Sequence, residues 1–156
     1  MPTTVSPADL QRVTELIGRA PQSEFEVVVR ASNGDPLVLR NQPFLHDGTP
    51  MPTLYWLVGG PVYRAISRLE SVGGIRSAQD TIDPVDVAAA HAVYASARDA
   101  LIDPTHEGPR PTAGVGGTRE GVKCLHAHYA HHLAGGADAV GRWVEQQLLA
   151  AGEALR

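Results

Sequence analysis

"FEVVVRASNGDPLVLR", Phe25 to Arg40, decides the fold class of this chain. Phe25 to Arg30 is rich in β-branched residues, and Leu37-Val38-Leu39 is a second short apolar run. Between them Ser32-Asn33-Gly34-Asp35-Pro36 supplies turn residues, so the stretch reads as a β-hairpin. Upstream, Ser6-Pro7-Ala8-Asp9 reads as a helix start. Ser6 can cap, Pro7 suits the first helical position and Asp9 favours the positive end of the dipole. Leu10, Val13, Leu16 and Ile17 then recur at helical spacing until Pro21.

Downstream, "NQPFLHDGTPMP" is a loop, and Thr53 to Val58, "TLYWLV", is a third strand. Its nearly continuous apolar character predicts a central strand buried on both faces, with Tyr55 and Trp56 in the core. Gly59-Gly60-Pro61 turns into a helix with Val62, Ile66 and Leu69 as its buried stripe. Ser71 to Ser77 reads as a Gly-rich loop. Asp83-Pro84-Val85-Asp86 repeats the start signal of the first helix, and this helix should run to about Leu101. Pro104 to Gly117 is a long loop. A helix from Thr118 to Ala134 follows, stopped by Gly135-Gly136, and Asp138 caps a last helix through Leu155. One helix, three strands and four helices in that order predict an α+β domain. The sheet is small, three-stranded, antiparallel or mixed, and packed against about five helices. The whole of 1–156 is expected to be a single domain, its core spanning about residues 6–155.

A chain of 156 residues can bury enough surface to fold without a disulfide or a metal. With a single cysteine it has no internal disulfide framework. A net charge of −4 and pI near 5.9 argue against a general nucleic-acid binder. "MPTTVSPADL" lacks the basic and apolar regions of a signal peptide, and no segment is long and apolar enough to span a membrane. The expected location is the cytoplasm.

Chemistry concentrates in "KCLHAHYAHH", Lys123 to His132, which holds the only cysteine, the only lysine and four of the seven histidines. On a regular helix from Thr118, Glu120, Cys124, His128 and His131 share one exposed ridge. His126 falls on the other side with Val122, Tyr129 and Leu133. Cys124 and His128, at i and i+4, can then share a metal ion. Zinc wants three or four ligands, and His46-Asp47 is the first candidate source of the rest, His91 the second. If the start of the segment is extended instead, Cys124, His126 and His128 alternate onto one face as a compact ligand set. The same atoms also suit thiol chemistry. Cys124 would be the nucleophile, His128 or His126 the base, and Arg119 or the Gly-rich "GVGGTREG" would hold an anion. The plain reading is a small buried cysteine on a helix with a solvated histidine face.

"GTPMPTLYWLVGGPVYRAISRLES" and "GVGGTREGVKCLHAHYAHHLAGGADAVG" together resemble a family of small proteins, found mainly in high-GC actinobacteria, described only as domain of unknown function 501. The near-total use of Arg over Lys fits such a genome. The resemblance runs from about Phe25 to Trp143, and "VKCLHAH" is its most specific motif. It implies Cys124, His126 and His128 as motif positions, together with Gly48, Thr49 and Pro50, and it brings no activity. Family members carry a cysteine before the proline that opens the second helix, where this chain has Gly60. A second thiol ligand, or a redox partner for Cys124, is therefore absent.

Three functions follow as expectations. The first is a divalent-metal site, zinc first because the ligands mix sulfur and nitrogen, with hydrolysis of a small anionic ligand as its chemistry. The second is a thiol enzyme built on Cys124, His128 and Arg119. The third is a non-catalytic interaction module, for instance a homodimer through the last helix, where Val140, Val144, Leu148 and Leu149 share a face that is equally suited to closing the domain's own core.

Overall fold

The protein is described from a computed structural model covering residues 5–156. The signal-peptide expectation, read from residues 1–10, falls partly on residues 1–4, which lie outside the described residues. Helix α1 (Pro7–Ile17) starts as its sequence dictates: Ser6 Oγ accepts the Asp9 N–H at 3.1 Å. The hairpin forms from β1 (Phe25–Arg30) and β2 (Pro36–Asn41), and β3 (Tyr55–Leu57) pairs antiparallel to β2. The sheet order is β1-β2-β3.

The central strand is therefore β2 rather than β3. Leu37, Val38 and Leu39 are fully buried, whereas Tyr55 and Trp56 of the short edge strand are only half-buried. The apolar run 53–58 reflects burial at its ends: Leu54, Leu57 and Val58 enter the core from backbone that is partly outside the ladder. On one side of the sheet, α1 closes over Leu39, Phe25 and Val58 through Val13. On the other, α2 (Gly60–Ser71), α5 (Leu125–Leu133) and α6 (Ala139–Ala150) form the main core around Ile66, Leu125, Tyr129 and Val144.

Three further boundaries differ from the sequence reading. Residues 71–77 are not a loop: Gly73, at φ 89°, makes the turn and α3 (Gly74–Thr81) begins at once. The last helix ends at Ala150 because Gly152 turns left-handed, and the tail folds back so that Leu155 O accepts the Tyr129 hydroxyl at 2.7 Å. The proposed dimer face of α6 lies inside the domain, with Val140, Val144 and Leu148 buried and only Leu149 exposed. The third boundary, at the start of α5, defines the site and is treated below.

Helix α4 (Pro84–Asp99) has an unusual buried face. His91, Tyr94 and Arg98, spaced three and four residues apart, are all buried polar side chains. Each holds irregular backbone. Tyr94 Oη accepts the Leu54 and Tyr55 N–H groups at 2.6 and 3.1 Å. Arg98 Nη1 donates to the Pro52, Thr112 and Ala113 carbonyls. His91 accepts from Val115 N–H through Nδ1 at 3.0 Å and reaches Gly121 O through Nε2 at 2.8 Å. A carbonyl only accepts, so His91 carries its proton on Nε2. This polar stripe gives the long loop 103–121 a fixed path, satisfying buried backbone groups that no sheet or helix pairs.

Candidate functional site

The helix bearing the histidines begins at Leu125, not at Thr118. Thr118 Oγ1 donates to Glu120 O and closes a local turn instead of capping a helix, and Gly121 sits at φ 66°. Val122 N–H is held by Gln79 Oε1 at 3.0 Å, which fixes extended backbone up to Cys124. Cys124 is itself the N-cap, with φ −144° and ψ 115°, and its Sγ accepts the Ala127 N–H at 3.4 Å. The helix starts seven residues later than expected, and the exposed and buried histidines change places while Val122 and Tyr129 stay buried. His128 and His131 are buried, while Cys124 and His126 are half-buried at the surface. The extended alternative holds only as far as Cys124, so Cys124, His126 and His128 do not share a face.

Two polar clusters result. The first joins Cys124 and His126 with Glu70 of α2: Sγ, an imidazole nitrogen and a carboxylate oxygen all lie within 4.8 Å of one another. His126 Nε2 is 3.1 Å from the Tyr63 carbonyl and 3.0 Å from Ser67 Oγ. Ser67 Oγ itself donates to that carbonyl at 3.0 Å, so Nε2 is the donor and the lone pair of the neutral ring rests on Nδ1. Nδ1 faces Glu70 Oε1 at 3.4 Å and Cys124 Sγ at 4.0 Å. The Tyr63 ring lies against the imidazole, 4.4 Å between centroids, and fixes its plane. Glu70 Oε1 also accepts the Leu125 N–H at 2.8 Å, the first free donor of α5. Burial pushes the Cys124 thiol above its ordinary value; the Ala127 N–H pulls it back in part, and the charge of Glu70 raises it further. A nucleophilic thiol needs the opposite shift.

The second cluster is buried. Asp138, the N-cap of α6, accepts Val140 and Gly141 N–H at 3.0 Å each. Its carboxylate also accepts His128 Nδ1–H at 2.8 Å and His131 Nδ1–H at 3.0 Å. Burial alone would raise the Asp138 carboxyl. The two histidine hydrogen bonds, the His128 charge and the Gly141 N–H outweigh it and hold the carboxyl well below the usual range. His128 Nε2 is buried without a hydrogen-bond partner, and its ring lies 5.6 Å from that of His91. The His131 ring is stacked 5.8 Å from Tyr55 and packed so tightly under Gly136 that a β-carbon there would overlap it. Gly136→Ala is expected to cost about 1–3 kcal/mol in urea unfolding through overpacking, and to shift the His131 ring signals in NMR.

The other sequence candidates lie elsewhere. His46 and Asp47 form an exposed turn, in which Asp47 Oδ1 accepts the Thr49 N–H at 2.9 Å and His46 approaches Glu24 at 3.9 Å. Neither joins the Cys124 cluster. Gly48, at φ 87°, makes that turn, and Pro50 bridges to Phe44. Arg119 lines a separate cavity with His91. His132 approaches Glu145 at 3.3 Å. Sequence reasoning missed Glu70, Ser67 and Tyr63. Their spacing of four and three residues along α2, flanking the Val62/Ile66 stripe by about a quarter turn, was a usable signal of a second, polar face. It also took Asp138 for a cap alone.

A family model described as "Protein of unknown function (DUF501)" matches residues 27–146. The chain belongs to the DUF501 family. No curated protein matches the chain, and no solved structure does. Within this DUF501 protein, the "VKCLHAH" segment is the N-terminal cap of α5, and the two clusters are what its Cys and His residues build. Gly60, where the resemblance implies a cysteine, has φ 79°, a conformation that side chains rarely adopt. No helix among the described residues is long and apolar enough to cross a membrane.

Proposed function

We infer that this DUF501 protein binds a divalent metal ion, zinc first, between Glu70, Cys124 and His126. The supporting observation is the convergence of one sulfur, one nitrogen and one oxygen donor. A tetrahedral zinc with ordinary bond lengths separates nitrogen from oxygen by about 3.3 Å and sulfur from nitrogen by about 3.6 Å. The corresponding distances here are 3.4 and 4.0 Å, so small side-chain adjustments suffice. The Nε2–H of His126, given to Tyr63 O and Ser67 Oγ, is the outer hydrogen bond that orients a ligating imidazole.

Three protein donors leave one position for water or a substrate atom, the pattern of catalytic rather than structural zinc. Hydrolysis of a small anionic molecule is the chemistry this arrangement favours. The thiol-enzyme reading is weaker because Cys124 is shifted the wrong way.

Elemental analysis of untagged protein tests the reading. Near-stoichiometric zinc is expected in the wild type and none in His126→Ala or Glu70→Gln. Iodoacetamide should alkylate Cys124 slowly, and faster once a chelator is added. A wild type that neither contains nor takes up zinc, manganese, cobalt or nickel overturns it.

A further inference from the structure

A second site lies at Arg119, which the sequence reading assigned to an anion beside Cys124 and which the fold places on a separate cavity. A cavity of about 420 Å³ opens between the α3–α4 corner and the turn before Cys124, within the roughly 300–1,000 Å³ of small-molecule sites. None of Glu70, Cys124 and His126 lines it. Ile82, Pro84, Val87 and Ala88 make one apolar wall, and Arg119 and Glu120 face them with opposite charges. Neither charge has an ion-pair partner among the described residues. The backbone presenting them is held from three sides. Gln79 Oε1 accepts Val122 N–H, His91 Nε2 donates to Gly121 O, and Thr118 Oγ1 donates to Glu120 O. A rigid turn with two unused opposite charges across from an apolar wall is preorganised for a ligand that carries both charges and an apolar tail.

We propose that this cavity binds a small zwitterion with an apolar side chain, the class of the aliphatic α-amino acids. The Arg119 guanidinium takes the carboxylate in its planar fork, Glu120 takes the ammonium group, and the tail lies on Ile82 and Val87. The site is independent of any metal at Cys124.

Isothermal titration of the full chain with L-leucine as the probe tests this. Saturable binding with a Kd of about 1 mM or tighter is expected. Leucinamide, which lacks the carboxylate, and 4-methylpentanoate, which lacks the amine, should each bind roughly ten- to hundredfold more weakly, and glycine likewise for want of a tail. Arg119→Gln removes the guanidinium, and Ala88→Trp fills the cavity. Both positions are exposed, so both variants should fold, and both should lose binding. Cys124→Ser should retain it, which excludes chelation of leucine by a metal at the other cluster. No saturable binding by wild type, binding that survives both cavity variants, or binding lost only in Cys124→Ser overturns the proposal.

Discussion

Cys124→Ser should fold as well as the wild type and lose the zinc binding proposed for it. The expectation follows from the position of Cys124 as N-cap of α5. Serine is among the best N-cap residues and cysteine is not, so a hydroxyl accepting the Ala127 N–H keeps stability within about 1 kcal/mol of wild type. As a zinc ligand, a serine hydroxyl replaces a thiolate poorly. Loss of outer-sphere partners alone weakens metal sites by about 10–100-fold, so loss of the sulfur should cost at least about 100-fold. Cys124→Ala removes both roles, and should add the cap penalty of about 0.5–2 kcal/mol. The three proteins, compared by zinc competition titration and urea unfolding, separate chemistry from architecture. Equal zinc affinity in wild type and Cys124→Ser would show that the sulfur is a cap and nothing more. Because the thiol of the metal-free protein is pushed up, zinc must displace its proton, and affinity should climb with pH through the neutral range.

Asp138→Asn should destabilise the domain by about 3–5 kcal/mol at neutral pH, the cost of breaking a buried charge network. For a chain of this size that lowers Tm by roughly 10 °C. Asparagine still caps α6, so the loss comes from the histidines. One carboxylate accepts from His128 and His131 at once, whereas an amide offers one oxygen and turns an N–H₂ toward a ring N–H. The pH dependence is equally specific. The folded carboxyl is held below its unfolded value of about 3.9, so its contribution is fully present above that value and drains away as pH falls through it toward the folded one. Wild type should therefore weaken steeply below about pH 4, and Asp138→Asn should show a shallower acid limb. Identical acid limbs in urea unfolding at stepped pH would remove Asp138 as the anchor of the network.

The hairpin, the capped helix starts at Ser6, Asp83 and Asp138, and the α+β class were legible because each rests on local chemistry: turn residues, caps and periodicity. Strand centrality was not, because Thr53 to Val58 is apolar through contacts made outside the ladder. The site was half legible. Composition singled out Cys124 and His126, but the wheel took as helical a turn at 118–121 and the backbone up to Cys124 that Gln79 and His91 hold, and it had no means of knowing that α6 and β3 cover His128 and His131. The third donor, Glu70, comes from a helix more than fifty residues earlier, since Leu125 and Glu70 are 55 apart. No local pattern around "KCLHAHYAHH" encodes a partner that only tertiary packing delivers.

The polar stripe on α4 also orders events in time. Arg98 meets Pro52 at a separation of 46 residues, Tyr94 meets Leu54 at 40, and His91 meets Gly121 at 30. Contacts this distant in the chain carry a large loop-closure entropy and form late. Of these three side chains His91 pins the turn that delivers Cys124, through Gly121 O, so that turn is not set until α4 has docked. Maturation of the site is thereby tied to the last steps of folding, and a nascent chain that lacks α4's anchors presents its thiol and imidazoles as unorganised groups. On the proposed metal reading, ion capture then waits on completion of the domain.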